Sequence, residues 1–250
     1  MPSRQFMLTP AMGKRIIGKA LLHHPHVQAV LGKGRLVVVA CTTNGYVAEE
    51  ILRQTNQADG FSRVGFRRGL VSPSPPADAG VKFPGDVVLV DGKWQGGKTI
   101  FDVCDDLQAG DLILKGANAL NLSTGQAGVY IEHPQGGTCA AVIRAVVGRR
   151  VRLIVPVGLE KRVEDDIFNI SMVLNDPESA GPRMLALPGR AFTELDAIEI
   201  LTGAKARLVA GGGVHGAEGC VWVLVKGTVD QLDRSARLVE SLVGEPPCRA

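Results

Sequence analysis

The chain has 250 residues, of which 45 % are hydrophobic, 21 % charged and 4 % aromatic, with a formal net charge of +3. That balance excludes a disordered chain, and the length suits one large domain or a main domain with a smaller companion. The scattered basic residues, densest at 63–68 and 148–152 and without interleaved aromatics, argue against nucleic acid as a partner.

With so few aromatics, the core has to be built from Val, Leu, Ile and Ala, a composition suited to buried parallel strands covered by helices. No apolar stretch is long enough to span a bilayer and no leader-like run opens the chain, so a cytoplasmic protein with no membrane partner is expected. Cys41, Cys104, Cys139, Cys220 and Cys248 show no short paired spacing, so neither a disulfide framework nor a zinc ribbon is expected. No metal and no cofactor are assigned.

In chain order, residues 10–31 carry Ile16, Ile17, Ala20 and Leu21 at helical spacing, divided by Pro25. "RLVVVACTTNGYVAEEIL" predicts a buried strand over 35–40, a small polar loop over 41–45 and a helix from about Gly45, capped by Thr43 or Asn44. The Pro/Gly-rich stretch 70–85 reads as a surface excursion. Strands are expected at 86–90, 111–114, 127–132 and 151–158, with helices at 99–107 and 137–148. Beyond residue 180 the order becomes strand (183–189), helix (192–203), two strands around a glycine-rich loop (205–227) and helix (229–244). The expected fold is α/β, a mostly parallel sheet with helices on both faces, plus a smaller ferredoxin-like α+β unit at the C-terminus. The corresponding domains are residues 1–180 and 181–250.

Two loops invite an anion. "GKWQGGKT" (92–99) fits the phosphate-loop expression, in which backbone N–H groups wrap phosphates while Lys and Thr serve the terminal phosphate and Mg²⁺. This makes Gly97, Lys98 and Thr99 the residues of an alternative, nucleotide-binding reading. Against it stand the short following helix and the lack of a later strand ending in Asp; an ordinary turn also accounts for the glycines. "CTTNG" is the better anion site. It places Thr42, Thr43, Asn44 and Gly45 at the carboxyl end of a buried strand, where open α/β sheets bind ligands and a helix N-terminus aims free N–H groups. A helix cap serving only its own backbone is the competing reading.

The strand, its Thr-Thr loop and helix, then "DLILKGANALN", "AGVYIEHPQGGTCAAVI" and "RVRLIVPVGLEKRV", resemble the ribose phosphate isomerase / glucosamine phosphate deaminase / CoA-transferase superfamily, over roughly residues 10–165. That group includes the sugar-sensing domains of DeoR-type repressors. The resemblance implies that Thr42, Thr43 and Asn44 bind the phosphate of a sugar phosphate, and that Lys115, Gly116, Ala117 and Asn118 lie at the reaction centre. It also exposes a departure. The isomerases carry carboxylates at the second station, whereas this chain has Lys115, Asn118, Ala119 and Asn121, and an Asn cannot take a proton.

Glu132, ending its strand, is the nearest substitute base, although a Glu at a strand end is more often simply solvated. His215, in "GGGVHGAEG" (211–219) beside Glu218, is the second candidate for proton transfer, against a wide hairpin turn. "HHPH" (23–26) reads as a helix-end loop, and the acidic pairs at 49–50 and 105–106 as solvated faces. The expected function is binding of a small anionic or phosphorylated metabolite, with isomerase- or transferase-like activity in view. A non-catalytic sensing or assembly protein that forms a homo-oligomer is a further alternative.

Overall fold

The computed structural model describes residues 1–68 and 83–247. Most of the Pro/Gly-rich excursion expected at 70–85, and Cys248, lie outside the described residues. Strand β1 (Ser3–Leu8) leads into helix α1 (Pro10–Leu22), followed by α2 (Pro25–Gly32), β2 (Arg35–Val38) and α3 (Thr42–Gln54). Then come β3 (Val87–Val90), β4 (Lys93–Trp94), α4 (Ile100–Val103), β5 (Leu112–Leu114), β6 (Ala119–Asn121), β7 (Gln126–Ile131) and α5 (Gly137–Arg149). Strand β8 (Arg152–Pro156) is followed by a 3₁₀ turn (Leu159–Lys161), α6 (Ile167–Leu174), β9 (Arg183–Ala186) and β10 (Arg190–Phe192). Helix α7 (Glu194–Thr202), β11 (Lys205–Gly211), β12 (Val221–Lys226) and α8 (Val229–Glu240) complete the order.

The large sheet runs β10-β8-β5-β2-β3-β4. Its first four strands are parallel, and β3 and β4 are antiparallel additions at one edge. Leu36, Val37 and Val38 of β2 and Leu112, Ile113 and Leu114 of β5 are fully buried, as continuous apolar runs in a parallel sheet should be. A mixed α/β fold with a mostly parallel sheet is thus the architecture.

Residues 181–250, expected as a ferredoxin-like unit, pair differently. Strand β9 joins β6 and β7, β10 extends the large sheet beside β8, and β11 and β12 form a three-stranded sheet with β1. The reason is long-range pairing. Ser3 to Leu8 lie in register with Lys226 to Val221 and give β12 a second partner that neighbouring sequence does not announce.

Local chemistry sets the helix ends. Thr9 caps α1 by accepting from Met12 N at 3.2 Å, and His24 caps α2 through its ring Nδ1, so Pro25 opens a helix at its first position. Helix α1 packs against both α3 and α7. Gly18 permits the approach to α3, because a Cβ there would sit 3.1 Å from the Tyr46 carbonyl.

The Glu49–Glu50 pair is not a solvated face. Arg15, 5 % exposed on α1, binds Glu49 and Glu50 at 2.6 Å each and Glu245 at 2.9 Å. Burial works against the guanidinium charge, but hydrogen bonds to Glu245 and Glu49 outweigh it and raise the Arg15 pKa.

Asp86 ties the far end of β2 to its surroundings. Its carboxylate is 1 % exposed and accepts from Ala40 N (2.9 Å), Ile100 N (2.7 Å) and Arg68 Nη2 (3.0 Å). Asp86→Ala leaves two backbone donors and a guanidinium without their acceptor, so a stability loss of about 3 kcal/mol is expected by denaturant unfolding. A midpoint within error of wild type would show that Asp86 does not hold this corner.

Candidate functional site

Strands β2, β5, β8 and β10 end side by side, and the residues just beyond them carry an unusual density of buried charge. After β2 come Cys41 and Thr42, which open α3; after β5 come Lys115 to Ala117; after β8, Glu160 and Lys161; after β10, Glu194 at the start of α7. Helix α1 adds Lys14, whose ammonium is 2.7 Å from Glu160 Oε1 and 3.2 Å from the Pro10 carbonyl.

The two carboxyl groups differ sharply. Burial acts to raise the Glu160 pKa, yet the charge and hydrogen bond of Lys14, with the charge of Lys161, hold it below the ordinary carboxylate range. Glu194 is 1 % exposed; burial first, then the negative charge of Glu160, pushes it up to about 8. Its Oε2 accepts from Leu159 N at 3.0 Å, one residue from Glu160. At neutral pH the pair therefore holds one carboxylate and one carboxylic acid, an arrangement suited to taking a proton and giving it back.

Positive charge surrounds the pair. Lys161 Nζ donates to the Ala117 carbonyl at 2.7 Å. Burial lowers the Lys161 pKa; the Cys41 thiol and Glu160 oppose that, and the charges of Lys14 and Lys115 add to it. Lys115 is 7 % exposed, and among the described residues its ammonium has neither a hydrogen-bond nor an ion-pair partner. Gly13, Gly116 and Gly158 make room for the cluster: a Cβ on them would collide with Glu194 Oε1, Cys41 Sγ and Glu160 Oε2, respectively. A polar cavity of about 280 Å³ opens at Glu160, lined also by Arg162, Gly212, Glu218, Gly219 and Cys220.

The residues anticipated from sequence divide into three groups. Lys115 and Gly116 lie in the cluster, and Thr42 stands half-buried at the start of α3. Thr43 and Asn44 are fully buried. Asn44 Nδ2 donates to the Val39 and Leu114 carbonyls at 2.7 and 2.9 Å, clamping the ends of β2 and β5 together, while Gly45 is an interior position of α3. Asn118 accepts from Tyr130 N at 3.1 Å, so its carbonyl oxygen is used in the small sheet.

The two proton-transfer candidates stand elsewhere. Glu132 is exposed beyond β7, in a different sheet from the strand ends, and the exposed His215 sits at positive φ on the glycine-rich loop. That loop contributes Glu218 to the cavity wall, whereas His215 is not among the lining residues. Of the "HHPH" histidines, His23 closes α1 while His24 and His26 belong to the start of α2, and no group of His, Cys, Asp and Glu among the described residues is placed to hold a metal ion.

"GKWQGGKT" folds as a turn and a cap. Asp91 and Gly92, both at positive φ, close the β3–β4 hairpin as a two-residue turn. The N–H groups of Trp94, Gln95, Lys98 and Thr99 donate to Gln57 Oε1, Val88 O, Gln95 O and Asp102 Oδ2. The Thr99 hydroxyl also donates to Asp102, at 2.6 Å. Donors spent in this way cannot wrap a phosphate.

Glu160, Lys161, Glu194 and Lys14 escaped the reading of the sequence. The available signal was an acidic residue immediately beyond an apolar strand, in "LIVPVGLEK" and "RAFTE". No family model, curated protein or solved structure matches the chain.

Glu194 also governs a pH dependence. Its folded pKa, about 8, lies above its ordinary 4.5, so the folded state binds the proton more tightly. Its contribution is fully present below about pH 4.5 and is lost as pH rises towards 8. Glu194→Gln keeps an acceptor for Leu159 N and removes the titration. The variant is therefore expected to gain stability relative to wild type as pH rises across that window. Parallel stability curves from thermal unfolding across it would place the Glu194 proton elsewhere.

Proposed function

We propose that the chain binds a small anionic metabolite, a phosphorylated sugar or similar compound, at the carboxyl ends of β2, β5, β8 and β10, and moves a proton on it as an isomerase does. The observation that carries this reading is the pairing of an ionised Glu160 with a protonated Glu194 around Lys14, beside a polar cavity. Lys115 and Lys161 supply the charge that an anion needs, with Arg162 at the cavity wall. The first N–H groups of α3, at Thr42 and Thr43, add donors of the kind helix N-termini offer.

The roles follow from the environments. Glu160 is the base, since its charge is maintained at neutral pH by Lys14 and Lys161. Glu194 stores the complementary proton behind it. These two groups supply the carboxylate chemistry that the Lys115–Asn121 segment lacks, which is what the resemblance to the phosphosugar isomerases requires.

At roughly 100 times its dissociation constant a ligand stabilises by about 2.7 kcal/mol, a rise of about 5–10 °C for a chain of this length. Such a rise in the thermal midpoint is expected with a member of a sugar-phosphate panel. Lys115→Met, which removes a cation from the cluster, should shrink the ligand-induced rise. Glu160→Gln should retain ligand binding and abolish exchange of the ligand's C–H hydrogen with solvent deuterium, read by NMR. If no phosphate or carboxylate ligand moves the midpoint, or Lys115→Met leaves the rise intact, the reading fails.

A further inference from the structure

We propose that Lys161 captures a carbonyl carbon of the bound metabolite as an imine, so that the substrates of this site are small aldehydes or ketones bearing a phosphate or carboxylate. The inference rests on the strand-end cluster being the ligand site.

Three lysines meet there, and their surroundings give them different tasks. Lys14 is committed, with its ammonium shared between Glu160 and the Pro10 carbonyl. Lys115 is the more deeply buried, and its unpartnered charge suits the anionic end of a ligand. Lys161 is half-buried, and one of its N–H bonds is directed at the Ala117 carbonyl. Resting as an ammonium, Lys161 becomes a nucleophile by giving one proton to Glu160, and the bond to Ala117 leaves its lone pair free. Burial and the neighbouring cations Lys14 and Lys115 ease the loss of that proton, as in lysines activated towards carbonyl carbon. Glu160 precedes it in the same 3₁₀ turn, and the charges of the two act on each other.

The step balances without a further reactant. The Nζ lone pair forms the N–C bond while the carbonyl π pair moves to oxygen. Nitrogen gives up one proton before it attacks and a second after the N–C bond has formed; oxygen takes up both and departs as water as the protonated C=N forms. Glu160, with Glu194 behind it, relays the two protons from nitrogen to the leaving oxygen. The protonated imine then draws electrons from the adjacent carbon, whose C–H becomes acidic enough for Glu160 to remove. Imine formation thereby supplies the electron sink for the proton transfer already assigned to Glu160.

The probe is pyridoxal 5′-phosphate, used as an aldehyde that carries its own phosphate, with borohydride reduction and peptide mapping of the intact chain. A single phosphopyridoxyl group is expected on Lys161, ahead of the exposed Lys33, Lys93 and Lys98. Inorganic phosphate should slow the labelling, and Lys161→Arg, which keeps the charge, should lose it. Mapping of the wild-type protein locates the label even if the variant folds poorly. Label on Lys115, or spread over exposed lysines with Lys161 unmodified, overturns the proposal. A sugar-phosphate rise in the thermal midpoint with Lys161 unlabelled would sink the imine alone and leave the anion site standing. Lys161 labelled without any anion-dependent rise would do the reverse.

Discussion

The ion pair between Lys14 and Glu160 holds the strand ends in their working arrangement. It joins helix α1 to the turn after β8 across 146 residues of sequence, at 2.7 Å, with side chains 9 % and 18 % exposed. Taking two such charges out of water costs several kcal/mol per ion, and only close geometry recovers it. Glu194 makes the problem harder, because a second carboxylate beside Glu160 would repel it. Retaining the proton on Glu194 resolves the conflict, and that retained proton is what gives the pair its chemistry. One constraint, burial of two acids near one committed base, thus yields both the local stability problem and the basis of the proposed proton transfer.

The arrangement depends on α1 approaching closely, and the helix is built for this. Arg15, the residue after Lys14, is anchored to Glu49, Glu50 and Glu245, while its guanidinium lies 4.8 Å from the Tyr46 ring centroid. Gly18 brings the helix against α3, and Gly13 leaves room for the Glu194 carboxyl. Any larger residue at Gly13 would displace the acid that must keep its proton. Residues 13–18 of one helix therefore combine packing, charge anchoring and site construction, which explains why its buried face includes Lys14 and Arg15 as well as Ile16 and Ile17.

Much of the large sheet was legible because its signals are local. Apolar runs with short polar breaks mark β2, β5 and β8, and a Thr cap marks α7; α3 opens earlier than expected, at Thr42 behind Cys41, whose side chain accepts from Asn44 N, rather than near Gly45 behind Thr43 or Asn44. Strand β1 was not legible, since "SRQFML" has a single fully buried side chain and gains its strand character from β12. Strand β6 was hidden inside a polar segment that reads as a loop. The strand-end location of the candidate cluster followed from general rules of α/β sheets, and Lys115 from the resemblance to the phosphosugar isomerase superfamily. The carboxyl pair did not: Glu194 looks like any first-turn acid behind a Thr cap, and Lys14 like the polar side of an amphipathic helix. Their meaning arises only when chain segments 146 and more residues apart are brought together. At the phosphate-loop match the ordinary turn that the glycines suggested is what forms: they are locally correct for a hairpin, and among the described residues the N–H groups of Trp94, Gln95, Lys98 and Thr99 are bonded within the protein.

The same pairing that removes residues 181–250 from a ferredoxin-like unit also completes the cavity. Strand β12 lies on β1 with Trp222 opposite Met7 and Val221 opposite Leu8, so the loop preceding β12 ends where α1 begins. Gly219 sits against Pro10, where a Cβ would be 3.4 Å from the ring, and a Cβ on Gly211 would strike the Arg162 guanidinium. The wall formed by Gly212, Glu218, Gly219 and Cys220 is therefore fastened to the strand that leads directly into the helix carrying Lys14. Wall and floor share one support: a displacement of β1 would move the glycine-rich loop and the partner of Glu160 together. The small sheet of β1, β12 and β11 thus keeps the loop, through its register with β1, at the cavity beside Glu160.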